Sequence, residues 1–361
     1  MELTGKRVLV TGASGFIGGH VCEALLQRGA RVRAMVRKTS DVSQLAGLDI
    51  EFAHADLSDV EGMHRACAGV DVVVHTAAAV GSFGEWEHFH ETGVLGTARL
   101  IEAAHRHGAR RFVHLSSIAV YGFRQHRGPV NEDAPFDLQP QGWNHYVREK
   151  VMSEQLLWRA HAAGQIAATS IRPVIVIGAR DRNAIPRLVD LLNLPVTALP
   201  GNADLRFPLV CIEDCVDAIL RALDHDASIG RAYNVAGEPV RLGEFFGLLA
   251  KHARRPAPKL YLPTAIVTAA VGLLEGAWKL LRRPGEPITT RIAIVLAGHD
   301  YDIDCTRAKT ELGWTPKGDY EASIVAAIER PAAAKRGSLA GEQSSAGNVA
   351  TARTAVREGH T

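Results

Sequence analysis

The chain of 361 residues predicts an α/β fold: a doubly wound parallel sheet with a smaller mixed α/β C-terminal region. Three observations predict it. Short runs such as Val8-Leu9-Val10 and Val72-Val73-Val74 are too continuously apolar for a strand with one wet face, and fit strands buried on both. Amphipathic stretches of helical length separate such runs, so strand and helix alternate as far as Gly178. The first strand runs straight into a turn carrying Gly12, Gly15 and Gly18, and His20 to Arg28 then read as a helix.

That strand, turn and helix make the phosphate-binding half of a βαβ unit. One glycine permits the tight turn, another lets backbone approach a pyrophosphate, and the third lets helix pack on strand. The pyrophosphate would sit on the unpaired N–H groups and positive dipole end of the helix. The spacing Thr11-Gly12-Ala13-Ser14-Gly15-Phe16-Ile17-Gly18 resembles the short-chain dehydrogenase/reductase superfamily, and its Phe-Ile-Gly form resembles the extended branch, the NAD-dependent epimerase/dehydratase family. The resemblance runs from residue 6 to about 330. It implies a Rossmann dinucleotide-binding domain with Gly12, Gly15, Phe16, Ile17 and Gly18 at the cofactor.

Composition is compatible. An apolar share of 47% with 22% charged residues suits a soluble globular protein, and a net charge of +2 offers no attraction for nucleic acid. No Lys/Arg-rich leader precedes the first strand, so a secretory signal is not expected. The five cysteines are scattered; Cys211 and Cys215 lie four apart without a second ligand pair, so they read as buried inert thiols rather than zinc ligands. No metal is expected, and a cytoplasmic setting fits.

The second strand, Arg31 to Val36, ends where NAD-binding folds usually place an acidic residue for the ribose 2′-OH. This chain instead has Arg37-Lys38-Thr39-Ser40, and a guanidinium with nearby hydroxyls matches a 2′-phosphate. The reading favours NADP(H), with NAD(H) as the alternative. Residues 50–56 form a third strand ending in Asp56-Leu57. The resemblance implies that Asp56 bonds the adenine amino group and Leu57 packs on the ring. A fourth strand, 71–75, closes with Thr76-Ala77-Ala78, small enough for backbone to lie against the adenosine ribose. A helix follows over 93–107. Relatives commonly read Asn-Val-x-Gly-Thr where this chain has Gly93-Val94-Leu95-Gly96-Thr97, so any relay through that Asn is missing.

The fifth strand runs from Arg111 into Ser116-Ser117 and on to Val120-Tyr121-Gly122. Tyr146 opens a long helix reaching about Ala163, with Lys150 one turn further on the same face. Thr169 to Gly178 is another strand, broken by Pro173. Arg172-Pro173 with Val176 matches the segment that, by the resemblance, packs on the nicotinamide carboxamide. Beyond Gly178, Pro186, Pro195, Pro200 and Pro208 interrupt short apolar pieces. A strand and helix over 210–223 and a strand over 232–236 return to the sheet. Helices over 242–254 and 304–312 lead to Leu312-Gly313-Trp314-Thr315-Pro316, a C-terminal signature of extended-branch enzymes. The expected division is a dinucleotide-binding domain of 1–178 with 209–236, a substrate region of 179–208 with 237–330, and a disordered tail over 331–361.

The chemistry rests on Ser117, Tyr146 and Lys150. A hydride leaves a carbinol carbon only if the hydroxyl proton leaves too, so a base must stand beside the nicotinamide. Bringing a phenol from about 10 to about 7 takes roughly 4 kcal/mol of phenolate stabilisation, which a nearby ammonium supplies in a partly dry site. Tyr146 is that phenol and Lys150 that ammonium, and both also enter the cofactor-binding set through the nicotinamide ribose. Ser117 ends a strand at the sheet's carboxyl edge, where ligands of such folds bind. Relatives ending in Val-Tyr-Gly place the active hydroxyl four residues before that tyrosine, which selects Ser117 over Ser116.

Sugar-nucleotide dehydratases usually carry an Asp-Glu pair where this chain has Ile118-Ala119, and neither of these can move a proton. Arg37 favours an oxidoreductase with exchanging cofactor, similar to dihydroflavonol-reductase-like enzymes, over an epimerase with tightly held NAD. Residues 261–281 are greasy, with a helical stripe of Val267, Val271, Leu274, Trp278 and Leu281 and with Glu275, Lys279 and Arg282 elsewhere around the helix. This segment, and Ser116-Ser117-Ile118, resemble 3β-hydroxysteroid dehydrogenase-like members. Glu275 and Lys279 interrupt it, so it is not expected to span a membrane. Lining a lipophilic pocket, resting on the inner face of a bilayer with Arg282 and Arg283 at head groups, and packing as an ordinary core helix all stay open. The expectation is an alcohol–ketone oxidoreductase for an apolar, steroid- or terpenoid-like substrate. A nucleotide-sugar epimerase is the runner-up, an idle dinucleotide sensor the third reading. A homodimer through the long helices is implied by the resemblance alone.

Overall fold

The computed structural model describes residues 1–79, 81, 83–122 and 128–329. The 331–361 segment, expected to be a tail, lies outside the described residues. In chain order the first half holds β1 (Arg7–Thr11), α1 (Phe16–Gln27), β2 (Arg31–Val36), β3 (Ile50–His54), α2 (Val60–Cys67) and β4 (Val72–His75). It continues with α3 (Trp86–Phe89), α4 (Gly96–Arg106), β5 (Arg111–Leu115), α5 (His145–Ala162) and β6 (Ala168–Pro173). Beyond the Pro173 break come β7 (Ile175–Ile177), α6 (Ala184–Leu192), β8 (Ala198–Pro200), β9 (Arg206–Phe207) and β10 (Leu209–Cys211). After these follow α7 (Ile212–Asp224), β11 (Arg231–Val235), β12 (Val240–Arg241), α8 (Leu242–Ala253) and β13 (Leu260–Leu262). The last elements are α9 (Thr264–Leu280), α10 (Arg291–Ala297) and α11 (Thr306–Leu312), and residues 320–329 are also helical.

Seven strands form one sheet in the order β11-β6-β5-β4-β1-β2-β3, every pairing parallel. The order reverses between β1 and β4, the position where open α/β sheets leave a ligand crevice at the strands' carboxyl ends. Alternate strand residues feed two cores. Val8, Val10, Val72, Val74 and Val113 pack with α1 and α7, whereas Leu9, Val73, Phe112 and Ala168 pack with α2, α4 and α5. A third core joins α6 and α8 to Phe207, Leu209 and the helix over 320–329. The C-terminal signature has a structural use: buried Trp314 donates Nε1–H to Asp214 O at 2.9 Å, and Asp214 accepts from Lys317 N and Gly318 N. This ties the chain end to the first turn of α7.

Three short helices depart from the sequence expectation. Helix α2 is polar, but Asp59 caps it by accepting from Gly62 N at 2.8 Å. Pro186 does not interrupt structure; it sits in the first turn of α6, where a missing N–H costs nothing. Helix α10 starts from Thr290, which accepts from Ala293 N. The helix expected from residue 93 begins earlier, with α3, and reaches α4 through a π-helical turn over His90–Leu95.

Candidate active site

The glycine turn is built against the end of β4. Gly12 takes φ +69°, and a Cβ there would stand 2.8 Å from Ala77 N. A Cβ on Gly18 would stand 2.3 Å from Gly12 O and 2.8 Å from Thr76 Oγ1. Both positions therefore need glycine, one for the turn and one for helix-on-turn packing. Thr76 Oγ1 donates to Thr11 O at 2.7 Å, fastening the two strand ends beside the crevice. Gly15 is the exposed N-cap of α1, with no side-chain cap and no acidic residue in the first turn. A close-approach cradle at an uncapped helix N-terminus fits a dinucleotide pyrophosphate. Phe16 and Ile17 follow, half-buried, as do Thr76, Ala77 and Ala78 across the crevice.

At the far side of β2, Arg37 is exposed just past the strand end and Asp56 is exposed past the end of β3. Hydrogen bonds from Ser58 hold the Asp56 carboxyl below the ordinary range, with its neighbour Arg37 acting in the same sense. Leu57 is buried, its side chain packed where a Cβ on Gly96 would stand 2.6 Å away. Pro173 is buried at the end of β6 and Val176 half-buried on β7.

Helix α5 carries the candidate chemistry. Asn144 caps it by accepting from Val147 N at 3.2 Å, which puts Tyr146 in its first turn. Lys150 is 4% exposed, with Nζ 5.8 Å from the centre of the half-buried Tyr146 ring. Burial alone would discharge this amine, but Glu149, Tyr146 and Glu154 outweigh it and hold Lys150 above the usual lysine value. Ser117 is half-buried and caps a 3-10 turn over Ile118–Tyr121, accepting from Ala119 N at 3.2 Å. That turn packs against α5. Ser116, in contrast, is buried, and its Oγ donates to Glu154 Oε2 at 2.5 Å. The structure thus brings Tyr146 and Lys150 together, sets Ser117 on the turn packed against their helix, and gathers the glycine turn with Thr76–Ala78.

Glu154 is a neighbour of this site that the sequence reading passed over, and its partner Arg172 was read only as part of the Arg172-Pro173 segment. Glu154 is fully buried, and Arg172 grips it through Nη2 at 2.6 Å and Nε at 3.0 Å. Arg172 also donates to Tyr121 OH at 2.6 Å, and Trp158 donates to Glu154 at 3.0 Å. Glu154 therefore locks α5 to β5 and β6. Its spacing, four residues beyond Lys150, was the available signal. A buried polar row crosses the sheet below Lys150: Thr11, His75, His114 and Ser170 occupy paired positions on β1, β4, β5 and β6. Thr11 Oγ1 lies 2.7 Å from His75 Nδ1 and Thr97 Oγ1 3.0 Å from His75 Nε2. Burial pushes His75 well below its usual value and His114 down to about 3, with the Lys150 charge adding to both.

Helix α9 comes to the mouth of this site. Lys279 pairs with Glu85 at 3.0 Å, and its charge bears on His145, next to Tyr146. An open surface groove of about 590 Å³ runs along α9, lined by Trp143, Thr264, Thr268, Leu273, Arg291 and His299. The expected stripe is rotated: Val267 and Val271 are buried, but Leu274 and Leu281 are exposed and Glu275 is buried instead. Glu275 accepts from Arg291 N at 2.8 Å and Arg291 Nε at 2.5 Å, which explains its place on the inner face. Among the described residues no helix is long and apolar enough to cross a membrane, and no cluster could hold a metal ion. All five cysteines are buried and unpaired.

The chain is similar in sequence and fold to known proteins. The model of the NAD dependent epimerase/dehydratase family matches residues 8–236. A 2-alkyl-3-oxoalkanoate reductase of Stenotrophomonas maltophilia is 30% identical, over 88% of this chain and 97% of its own. Sterol demethylase protein B of Methylococcus capsulatus is 31% identical, over 85% of this chain and 93% of its own. Among solved structures, gox2253 superposes with a TM-score of 0.74 at 28% identity, covering 90% of this chain and 97% of its own.

Proposed function

This chain belongs to the NAD dependent epimerase/dehydratase family, and within it we propose an oxidoreductase that interconverts a secondary alcohol and a ketone on a lipophilic substrate. The observation that carries the reading is the buried Lys150 ammonium held beside the Tyr146 ring. When bound, the nicotinamide supplies or accepts the hydride. The glycine turn, with Thr76, Ala77 and Ala78, would hold the dinucleotide. Arg37 supports NADP(H): it is exposed just past the end of β2, and a guanidinium matches the geometry of a 2′-phosphate.

In the oxidation direction Tyr146 takes the hydroxyl proton, and in the reduction direction it returns one to the carbonyl oxygen. The Lys150 ammonium opposes the negative charge that the phenol oxygen carries once its proton has moved. Ser117 holds the substrate oxygen in line with the phenol. Ile118 and Ala119, buried in the 3-10 turn, offer no acid or base for elimination. Support for a lipophilic substrate comes from the open groove along α9 and from the two relatives, one named for an alkyl-oxoalkanoate and one for a sterol. Leu273 at 78% exposure and Leu280 at 84%, with Arg282 and Arg283 at the helix end, support peripheral contact with a bilayer surface. A homodimer through the long helices is part of the same reading.

The deciding experiment follows absorbance of the reduced nicotinamide with each cofactor against sterols, alkyl-oxoalkanoates, flavonoid ketones and UDP-sugars. Turnover of a lipophilic ketone or alcohol that falls about 10³-fold in Tyr146→Phe, with cofactor affinity nearly unchanged, is expected. Unaided turnover of a UDP-hexose by protein carrying stoichiometric NAD would replace this reading with an epimerase. Binding of NADP(H) without turnover on any substrate would leave a sensor.

A further inference from the structure

Gly93 and Glu149 share one space. Gly93 lies in the π-helical turn and is buried; a Cβ there would stand 2.3 Å from Glu149 Cγ and 2.4 Å from its Cδ. No side chain can therefore enter from position 93 while Glu149 keeps its place. Such π-helical turns occur often at functional sites. Glu149 is 1% exposed, on the same helix as Tyr146 and Lys150. Its Oε2 lies 3.8 Å from Lys150 Nζ and has no hydrogen-bond partner among the described residues. A carboxyl this deeply buried with an oxygen unbonded is costly unless a charge repays it. Lys150 is the charge that faces it. Burial pushes the Glu149 carboxyl up from the ordinary range while the ammonium pulls it down.

We propose that Glu149 is a positioning residue: seated in the space left by Gly93, its carboxylate holds Lys150 charged and aimed at the Tyr146 ring. This rests on the Tyr146–Lys150 chemistry argued above. The other groups facing Lys150 cannot do the same work. Tyr146 and Glu154 come from its own helix, but Tyr146 changes charge during turnover and Glu154 is committed to Arg172, Ser116 and Trp158. His75 on β4 and His114 on β5 are held neutral by burial. Glu149 is thus the carboxylate left to answer the ammonium.

The test is Glu149→Gln, which keeps shape and removes charge. In the alcohol-oxidation direction its alkaline limb of kcat should move to lower pH by on the order of one unit, because Lys150 loses its proton earlier. KM for the cofactor should stay as in the wild type. A space-filling role would leave both limbs in place and overturn the proposal. Should the wild-type protein show no turnover at all, the chemistry above fails but the coupling is still readable. The Lys150 amine, assigned by comparison with Lys150→Arg, is then titrated by NMR of labelled lysine. Its proton should leave at lower pH in Glu149→Gln, and an unmoved midpoint would refute the proposal. If that variant does not fold, Gly93→Asn with Glu149→Ala refills the space from the other side without the charge. The Lys150 midpoint should again fall; a wild-type midpoint would again overturn the assignment.

Discussion

Helices α5 and α9 are anchored to different degrees. Helix α5 buries Glu149, Lys150, Ser153 and Glu154 along one face, and Arg172 ties it to the sheet by a two-pronged ion pair. Helix α9 buries Val267, Val271 and Glu275 and turns Ile266, Leu273 and Leu280 to solvent. Buried charge tolerates few geometries, because each displaced partner leaves an unpaired ion. Helix α9 has one such pair, Glu275 with Arg291, and otherwise rests on apolar contact, which tolerates more. On the proposed reading, reaction chemistry sits on the helix tied to the sheet, and α9, with more of its apolar side chains exposed, is the proposed cover.

Breaking the rigid half should have the largest effect. Glu154→Gln leaves Arg172 without its partner, and urea unfolding should report a loss of about 3–5 kcal/mol. A loss below about 1 kcal/mol would mean that α5 is not anchored this way. The cofactor rim comes next. Arg37→Ala should raise KM for NADP(H) about 10- to 100-fold while that for NAD(H) hardly moves, the loss expected for one charge-assisted contact. Equal changes for both cofactors would remove Arg37 from the 2′-phosphate.

The buried histidines give the sheet side a pH signature. His114 has no partner on either ring nitrogen among the described residues, and its value in the fold is about 3 against an ordinary 6.5. The unfolded chain therefore binds the extra proton between those values, so stability is present above the ordinary value and is lost as pH falls through the window. One such group contributes a slope of about 1.4 kcal/mol per pH unit. His114→Leu should flatten the acid limb of a stability–pH curve by that amount, leaving the His75 contribution. An unchanged slope would mean that His114 is protonated in the fold. The smallest stability effect belongs to the cover. Leu273→Ser and Leu280→Ser should alter unfolding by less than about 0.5 kcal/mol. They should still raise KM for a lipophilic substrate and weaken capture by anionic vesicles. Wild-type behaviour in both assays would reduce α9 to a passive surface helix.

Much of this could be read from residues in a row. The apolar runs of β1 and β4, the glycine turn and the four-residue step from Tyr146 to Lys150 are local patterns. Each reports directly on burial, turn geometry or a shared helical face. Helix α2 was not legible because its stability comes from the Asp59 cap and packing rather than from apolar periodicity. The facing of α9 was misread because hydrophobicity suggested Leu274 for the inner face, whereas an ion pair with Arg291 draws Glu275 there.

The sequence by itself determined the parallel sheet, the place of the glycine turn and the four-residue step that sets Tyr146 and Lys150 on one helix, since these depend on neighbours within one strand or one turn. Only the tertiary structure decided that Glu149 fills the space beside Gly93, that Glu154 clasps Arg172 and that His75 and His114 lie neutral beneath the site. Those outcomes depend on which distant segments share a volume from which water is excluded. There the energy of a charge is set by what packs against it, which no local pattern records.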